Sequence, residues 1–249
     1  IFLAATATKV AVYILLRMYF SLFGVAISIT KLPVTELILI LSVAAMFIAS
    51  IIAIYEDNIN RMLAYSSVAQ IGYITLGIAL ANQNGLTGSI VHLLNHAAMK
   101  AALFACMGAI VYRIGTSRLS EIGGIAHKMP VTMAAFTMAG LAIIGVPGTA
   151  GFISKWYLGV GAVDHGWWSL AFLLLISSLI AVVYIGRVIE AAYFQPLDEK
   201  CAKASDPPMT MMISLVAFTV LTVYFGLDTT WSGDLAAEAA KVLVGGLKP

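Results

Sequence analysis

GLTGSIVHLLNHAAMKAALFACMGAIVYR, residues 85–113, is an apolar run long enough to cross a bilayer, and its middle carries His92, His96 and Lys100. Spaced four residues apart, these side chains turn by only about 40° from one to the next on a helix and so share one face. From His92 to Lys100 the ladder covers about 12 Å of helix axis. Ionisable groups at that depth are expensive against lipid. They are expected to face protein or water and to mark an ion or proton path. A single intramembrane histidine is as readily a satisfied packing residue, but three ionisable groups on one face weigh against that reading.

The composition sets the same frame. Of 249 residues, 61% are hydrophobic and only 10% charged, with mean hydropathy +0.98, which describes an all-α polytopic membrane protein rather than a soluble domain. A net charge of +2 gives no reason to expect nucleic acid. Cys106 lies inside a span and Cys201 in a loop, so the two cysteines form neither a metal set nor a disulfide framework. The chain opens mid-hydrophobic at Ile1, with no initiator Met or signal peptide, which leads us to expect a fragment lacking an N-terminal part.

Seven spans are expected, at 2–24, 34–54, 61–81, 86–112, 131–162, 168–194 and 208–227. The fifth and sixth are too long for one straight crossing. The fifth contains IIGVPGTAGFISKW, where Gly145, Pro147, Gly148 and Gly151 should interrupt the helix. A break at membrane depth is tolerated where the freed backbone faces protein or a wet cavity, so it is a functional hint, sharpened by Lys155 just beyond it. A proline kink used only for packing is the plainer alternative. Arg61, Arg113, Arg118, Lys128, Lys200 and Lys203 collect on one side, against Lys31, Lys241 and Lys248 on the other. The positive-inside bias makes the first side cytoplasmic and puts the C-terminus outside. Trp156, Trp167, Trp168 and Trp231 read as interfacial belt residues, and the polar linker 195–208 as a simple connection.

Further polar groups fall inside the spans. Lys9 sits among small residues and either belongs to the path or snorkels to the surface; Arg17, near the end of the same span, is expected to snorkel. Arginine keeps its proton through any working cycle, whereas a buried lysine can release one and histidine titrates near neutrality unaided. Ser66, Gln70 and Tyr73 share one face of the third span and either line a water wire or bond helix to helix; Asn95 could serve either purpose. Arg187 and Glu190, three apart, read as an interfacial ion pair, and Glu56 and Asp57 as solvated. There is no Walker loop, dinucleotide fingerprint, paired-cysteine cluster or nucleophile triad, so energy must come from an ion gradient or from partner subunits.

The strings EDNINRMLAYSSVAQIGYITLGIAL, HLLNHAAMKAALF and GVPGTAGFISKWYL closely resemble the proton-conducting antiporter-like family, in its order and spacing, over residues 1 to about 195. That family includes the D subunit of multisubunit Na+/H+ antiporters and the antiporter-like subunits (the N type among them) of NADH–quinone oxidoreductase, respiratory complex I, with relatives in membrane-bound hydrogenases. The resemblance implies a fold of about fourteen transmembrane helices with two inverted five-helix repeats, each holding a broken helix. It implies one transmembrane domain over 1–249: the last helix of the first repeat (1–24), the second repeat (34–194, broken helix 131–162) and a final helix (208–227). By resemblance, Lys9 begins the hydrophilic axis, His92, His96 and Lys100 form its middle, and Lys155 gates the exit. The sequence departs from the family at Asn60, where many relatives have lysine.

The expectation is a subunit that moves protons through a buried Lys/His/water axis, in a bacterial inner membrane, alongside other membrane subunits. It would bind no cofactor or metal itself; NADH, flavin, Fe–S centres and quinone would belong to partner subunits of a redox-driven translocase. The rivals are a Na+/H+ antiporter subunit without redox chemistry and a non-conducting scaffold.

Overall fold

Apolar length and punctuation decide the helices. The computed structural model describes residues 6–22 and 34–245. It consists of helices α1 (Thr8–Arg17, continuing as a wider turn over Met18–Leu22), α2 (Val34–Tyr55), α3 (Ile59–Leu80), α4 (Gln83–Ile114), α5 (Pro130–Ile144), α6 (Ala150–Asp164), α7 (Trp168–Phe194), α8 (Met209–Leu227) and α9 (Thr230–Gly245). Five of these, α2, α3, α4, α7 and α8, are long and apolar enough to cross a membrane, and α5 is a shorter apolar helix. The expected fifth span is therefore two half-helices, α5 and α6. Residues 2–5, 23 and 24 of the first expected span, with Lys31 and Lys248, lie outside the described residues.

The starts and stops are local. Asn58 caps α3 by accepting from the Arg61 N–H at 3.1 Å, and Asn82 caps α4 by accepting from the Gly85 N–H at 2.7 Å. The same Asn82 donates to the Gly161 carbonyl at 2.6 Å, tying the start of α4 to α6. Helix α4 is the hub, packed against α3, α5, α6, α8 and α9. Met99, Leu103, Cys106 and Ile110 of α4 share one apolar core with Phe136 of α5 and Tyr184, Ile185 and Val188 of α7. The outward faces of α2 and α7 keep Ile40, Ile48, Phe172, Leu175 and Leu179 exposed, as bilayer-facing helices do.

The structure departs from the sequence reading at three places. Helix α9 was not expected; only Ser232, Gly233, Ala236 and Ala240 are buried on it, and it packs beside α4. The linker 195–208 does more than connect: the Asp206 carboxylate accepts from the Thr132 N–H at 3.1 Å and the Thr132 hydroxyl at 2.8 Å, capping α5, whose Met129 N-cap supplies no side-chain bond. Arg187 does not pair with Glu190. Its guanidinium donates to the Ile54 and Glu56 carbonyls at the end of α2, while Glu190 is exposed. The last turn of a helix leaves carbonyls without partners, and a cation is well placed there. Glu56 itself pairs with Arg61 at 3.4 Å, and Asp57 accepts from Ser120.

Candidate functional site: a buried amine–imidazole axis

The four-residue spacing on α4 puts His92, His96 and Lys100 on one face, and all three are fully buried. The imidazoles stack nearly parallel, 4° apart in tilt and 5.9 Å between centroids. His92 is held on both sides: Nε2 lies 2.9 Å from Gln70 Oε1 and Nδ1 lies 2.7 Å from Ser154 Oγ. With the Gln70 oxygen facing the ring, Nε2 carries a hydrogen and Nδ1 accepts from Ser154. The Ser154 hydroxyl can instead donate to the Gly151 carbonyl, 3.1 Å away, leaving its oxygen free to accept from a protonated Nδ1. His92 can thus gain a proton without losing either bond. Neither nitrogen of His96 has a hydrogen-bond partner in the protein.

The amines have different surroundings. Lys100 Nζ donates to the Leu63 carbonyl at 2.7 Å and to the Ser66 hydroxyl. Lys155 Nζ has three acceptors, matching the three hydrogens of an ammonium: the Ile143 carbonyl at 2.9 Å, the Ile144 carbonyl at 3.0 Å and Ser178 Oγ at 3.0 Å. Those carbonyls end α5, so the break supplies both the acceptors and the negative end of a helix dipole. Nζ also sits 4.6 Å from the Tyr73 ring centre.

The break is built from the residues that suggested it. Gly145 ends α5 at φ +92° and Gly148 turns the chain at φ +85°, with Pro147 between them. Gly151 lies inside the first turn of α6, where a Cβ would sit 1.8 Å from the Ala142 carbonyl oxygen; only glycine lets the half-helices approach so closely. Asn95 of α4 donates to the Ala150 carbonyl at 2.7 Å, fastening the ladder helix to the break, and its Oδ1 is buried without a partner.

Ser66, Gln70 and Tyr73 of α3 are all buried and line the ladder. Each bonds helix to helix: Ser66 to Lys100, Gln70 to His92, and Tyr73 OH to Ser178 Oγ at 3.4 Å. Lys9 is buried on α1, which packs against α3, and lies within electrostatic range of His92, His96 and Lys100. Arg17 is exposed. Beside Lys155 an apolar crevice of about 370 Å³ opens between α6 and α7, lined by Phe152, Trp156, Val160 and Leu174 with Ser178. Trp156 is thus a wall of that crevice. Sequence reading missed Ser154, Ser178, Ser177 and Tyr184. Their signal was spacing: Ser177 and Tyr184 are seven apart on α7 and share a buried face. Among the described residues no cluster of His, Cys, Asp and Glu could hold a metal.

Five long apolar helices, a pair of half-length helices with a lysine on the break, and a buried His/Lys ladder facing it define a polytopic helical membrane protein with ionisable groups in its interior. The chain belongs to the NADH:quinone oxidoreductase/Mrp antiporter transmembrane family, whose model matches residues 1–181. It is 39% identical over 238 residues to NADH-quinone oxidoreductase subunit N of Desulforudis audaxviator, covering 91% of this chain and 47% of that protein. It is 31% identical over 234 residues to F(420)H(2) dehydrogenase subunit N of Methanosarcina mazei, covering 90% and 47%. Among solved structures, a chain of the Mrp complex from Dietzia sp. matches with a TM-score of 0.85 at 26% identity, over 95% of this chain and 51% of that one. A chain of respiratory complex I from Thermus thermophilus matches with a TM-score of 0.82 at 19% identity, over 99% and 52%, a likeness of fold alone. The chain spans about half the length of the curated relatives it matches.

Proposed function

We propose that this chain is the part of a membrane subunit that passes protons between Lys100 and Lys155 through His92 and His96, with Lys9 feeding the ladder. The observation that carries the reading is the ladder itself: three titratable groups buried on one helix face, with Ser154, Gln70, Tyr73 and Ser178 filling the ground to the lysine on the break. In a dry interior, a charge gained at one amine is felt strongly by the next, so charge changes in neighbouring subunits can drive the transfer. Ser66, Gln70, Tyr73 and Asn95 hold the path and its waters, and Gly145, Pro147, Gly148 and Gly151 keep the break open to Lys155.

The identity to NADH-quinone oxidoreductase subunit N favours a redox-driven assembly, in which NADH, flavin, iron–sulfur centres and quinone belong to partner subunits and this chain binds none. The likeness to a chain of an Mrp complex favours the second reading, a cation/H+ antiporter subunit. In either case residues 34–194 form one five-helix repeat, flanked by α1 as the last helix of another and by the membrane helix α8, after which the short α9 follows. The membrane is a bacterial inner membrane, with the C-terminus outside. The test is Lys100→Ala and Lys155→Ala, separately, in the full-length subunit within its complex. Each is expected to lower proton translocation at least about tenfold, a loss of about 1.4 kcal/mol or more of barrier stabilisation. Unchanged pumping and unchanged Na+ resistance in both would leave only a scaffold.

A further inference from the structure

Helix α7 carries polar atoms that the ladder does not use. Tyr184 is wholly buried in the apolar core, and its hydroxyl has no hydrogen-bond partner in the protein. A buried hydroxyl in that condition is costly, so its retention calls for a partner. The oxygen faces the side chains of Ser66 and Gln70, near enough to interact but beyond direct hydrogen-bond contact. Two turns back on the same face, Ser177 Oγ is likewise buried and unpartnered. It lies beside the Tyr73 hydroxyl, which already contacts Ser178 Oγ at 3.4 Å. Both ends of this polar file are anchored to amines: Ser66 accepts from Lys100, and Ser178 accepts from Lys155 at 3.0 Å. Ser66 and Gln70 of α3 thus lie by Tyr184 of α7, and Tyr73 lies by Ser177 and Ser178.

We infer that Ser66, Tyr184, Tyr73, Ser177 and Ser178 form a second, imidazole-free route between Lys100 and Lys155, with Tyr184 as its central carrier. Each hydroxyl both donates and accepts, and water bridging Tyr184 to Ser66 and to Tyr73 completes the file. A proton enters at one oxygen as another leaves on the far side; no bond to carbon changes and no net charge rests on the tyrosine. Gln70, which cannot relay a proton in this way, positions both routes, since its oxygen already holds His92. The inference rests on the proposed reading of the axis as a proton path.

The test is a double-mutant cycle in the full-length subunit within its native complex, reading proton flux in sealed vesicles. Tyr184→Phe deletes one oxygen and keeps the packed ring; His96→Ala interrupts the imidazole stack. Each single variant is expected to keep a third or more of the flux, and the pair to fall below about a tenth, more than the product of the singles. A purely structural Tyr184 would lower assembled complex and flux in proportion, leaving the flux per assembled complex unchanged. If Tyr184→Phe leaves the His96→Ala flux unchanged while Lys100→Ala abolishes it, the second route is wrong and the parent reading stands. If Lys100→Ala itself pumps normally, the parent reading fails first.

Discussion

In the proposed axis Ser154 is the smallest part, because its one hydroxyl can serve either protonation state of His92. Its oxygen is 2.7 Å from Nδ1 and 3.1 Å from the Gly151 carbonyl, so rotating one hydrogen converts it from donor to acceptor toward the ring. Ser154→Ala strands a buried Nδ1. It is expected to cost about 1–3 kcal/mol of stability, measured by thermal unfolding of the purified subunit, and to slow proton flux. Unchanged flux would mean His92 is a packing residue. Lys100 is different in that its removal leaves little behind, since Ser66 Oγ also donates to the Leu63 carbonyl at 3.0 Å. The ladder was legible because a four-residue spacing survives as one helix face. Ser154, Ser177, Ser178 and Tyr184 were not, because a lone hydroxyl in an apolar span looks the same whether it packs or conducts until the facing helix is known. The Arg187–Glu190 spacing misled for a related reason: the end of α2 offers unpaired carbonyls that no local pattern reveals.

At the scale of elements, the broken helix depends on one close approach. Gly151→Ala would drive a methyl into the Ala142 carbonyl and should destabilise the subunit by about 3 kcal/mol or more, with loss of assembled complex on native gels. Gly159→Ala is the control: a Cβ there meets nothing within 4 Å and should be tolerated. Equal damage from both would mean the break is not held by this contact. The proline and glycines announced the break, but not that α5's last carbonyls would serve as the cradle of Lys155. Helix α9 escaped the reading because its apolar face is narrow and built of alanine and glycine, well below the hydropathy of a span. Between the loop after α4 and the loop after α7, Lys200 pairs with Glu121 at 2.8 Å. Hydrogen bonds from Lys200 and then Thr116 hold the Glu121 carboxyl below its ordinary range. A depressed carboxyl stabilises above its unfolded value and loses that contribution as pH falls through the folded one. The hydrogen-exchange protection factors of the loop residues around Glu121 and Lys200, corrected for the intrinsic pH dependence of exchange, should therefore hold near neutrality and fall in acid, below about pH 4.3. Cys201 is buried beneath this pair, its Sγ near the Glu121 carbonyl, and burial pushes its thiol up to about 11. It should alkylate slowly at pH 7.5, and faster in Lys200→Ala; fast labelling of the parent protein would contradict the packing.

Over the whole molecule, the polar file is enclosed by helices whose outer faces are apolar, and α1 brings Lys9 to its edge. The account turns on whether the amine at residue 100 carries protons or merely fills space. Lys100→Met keeps the side chain's length and leaves the Leu63 carbonyl with Ser66, so the fold should survive. The decisive measurement is proton translocation by the full-length subunit bearing Lys100→Met, in sealed vesicles, at wild-type levels of assembled complex. The account predicts a fall of about tenfold or more. Wild-type translocation with the amine gone would contradict it.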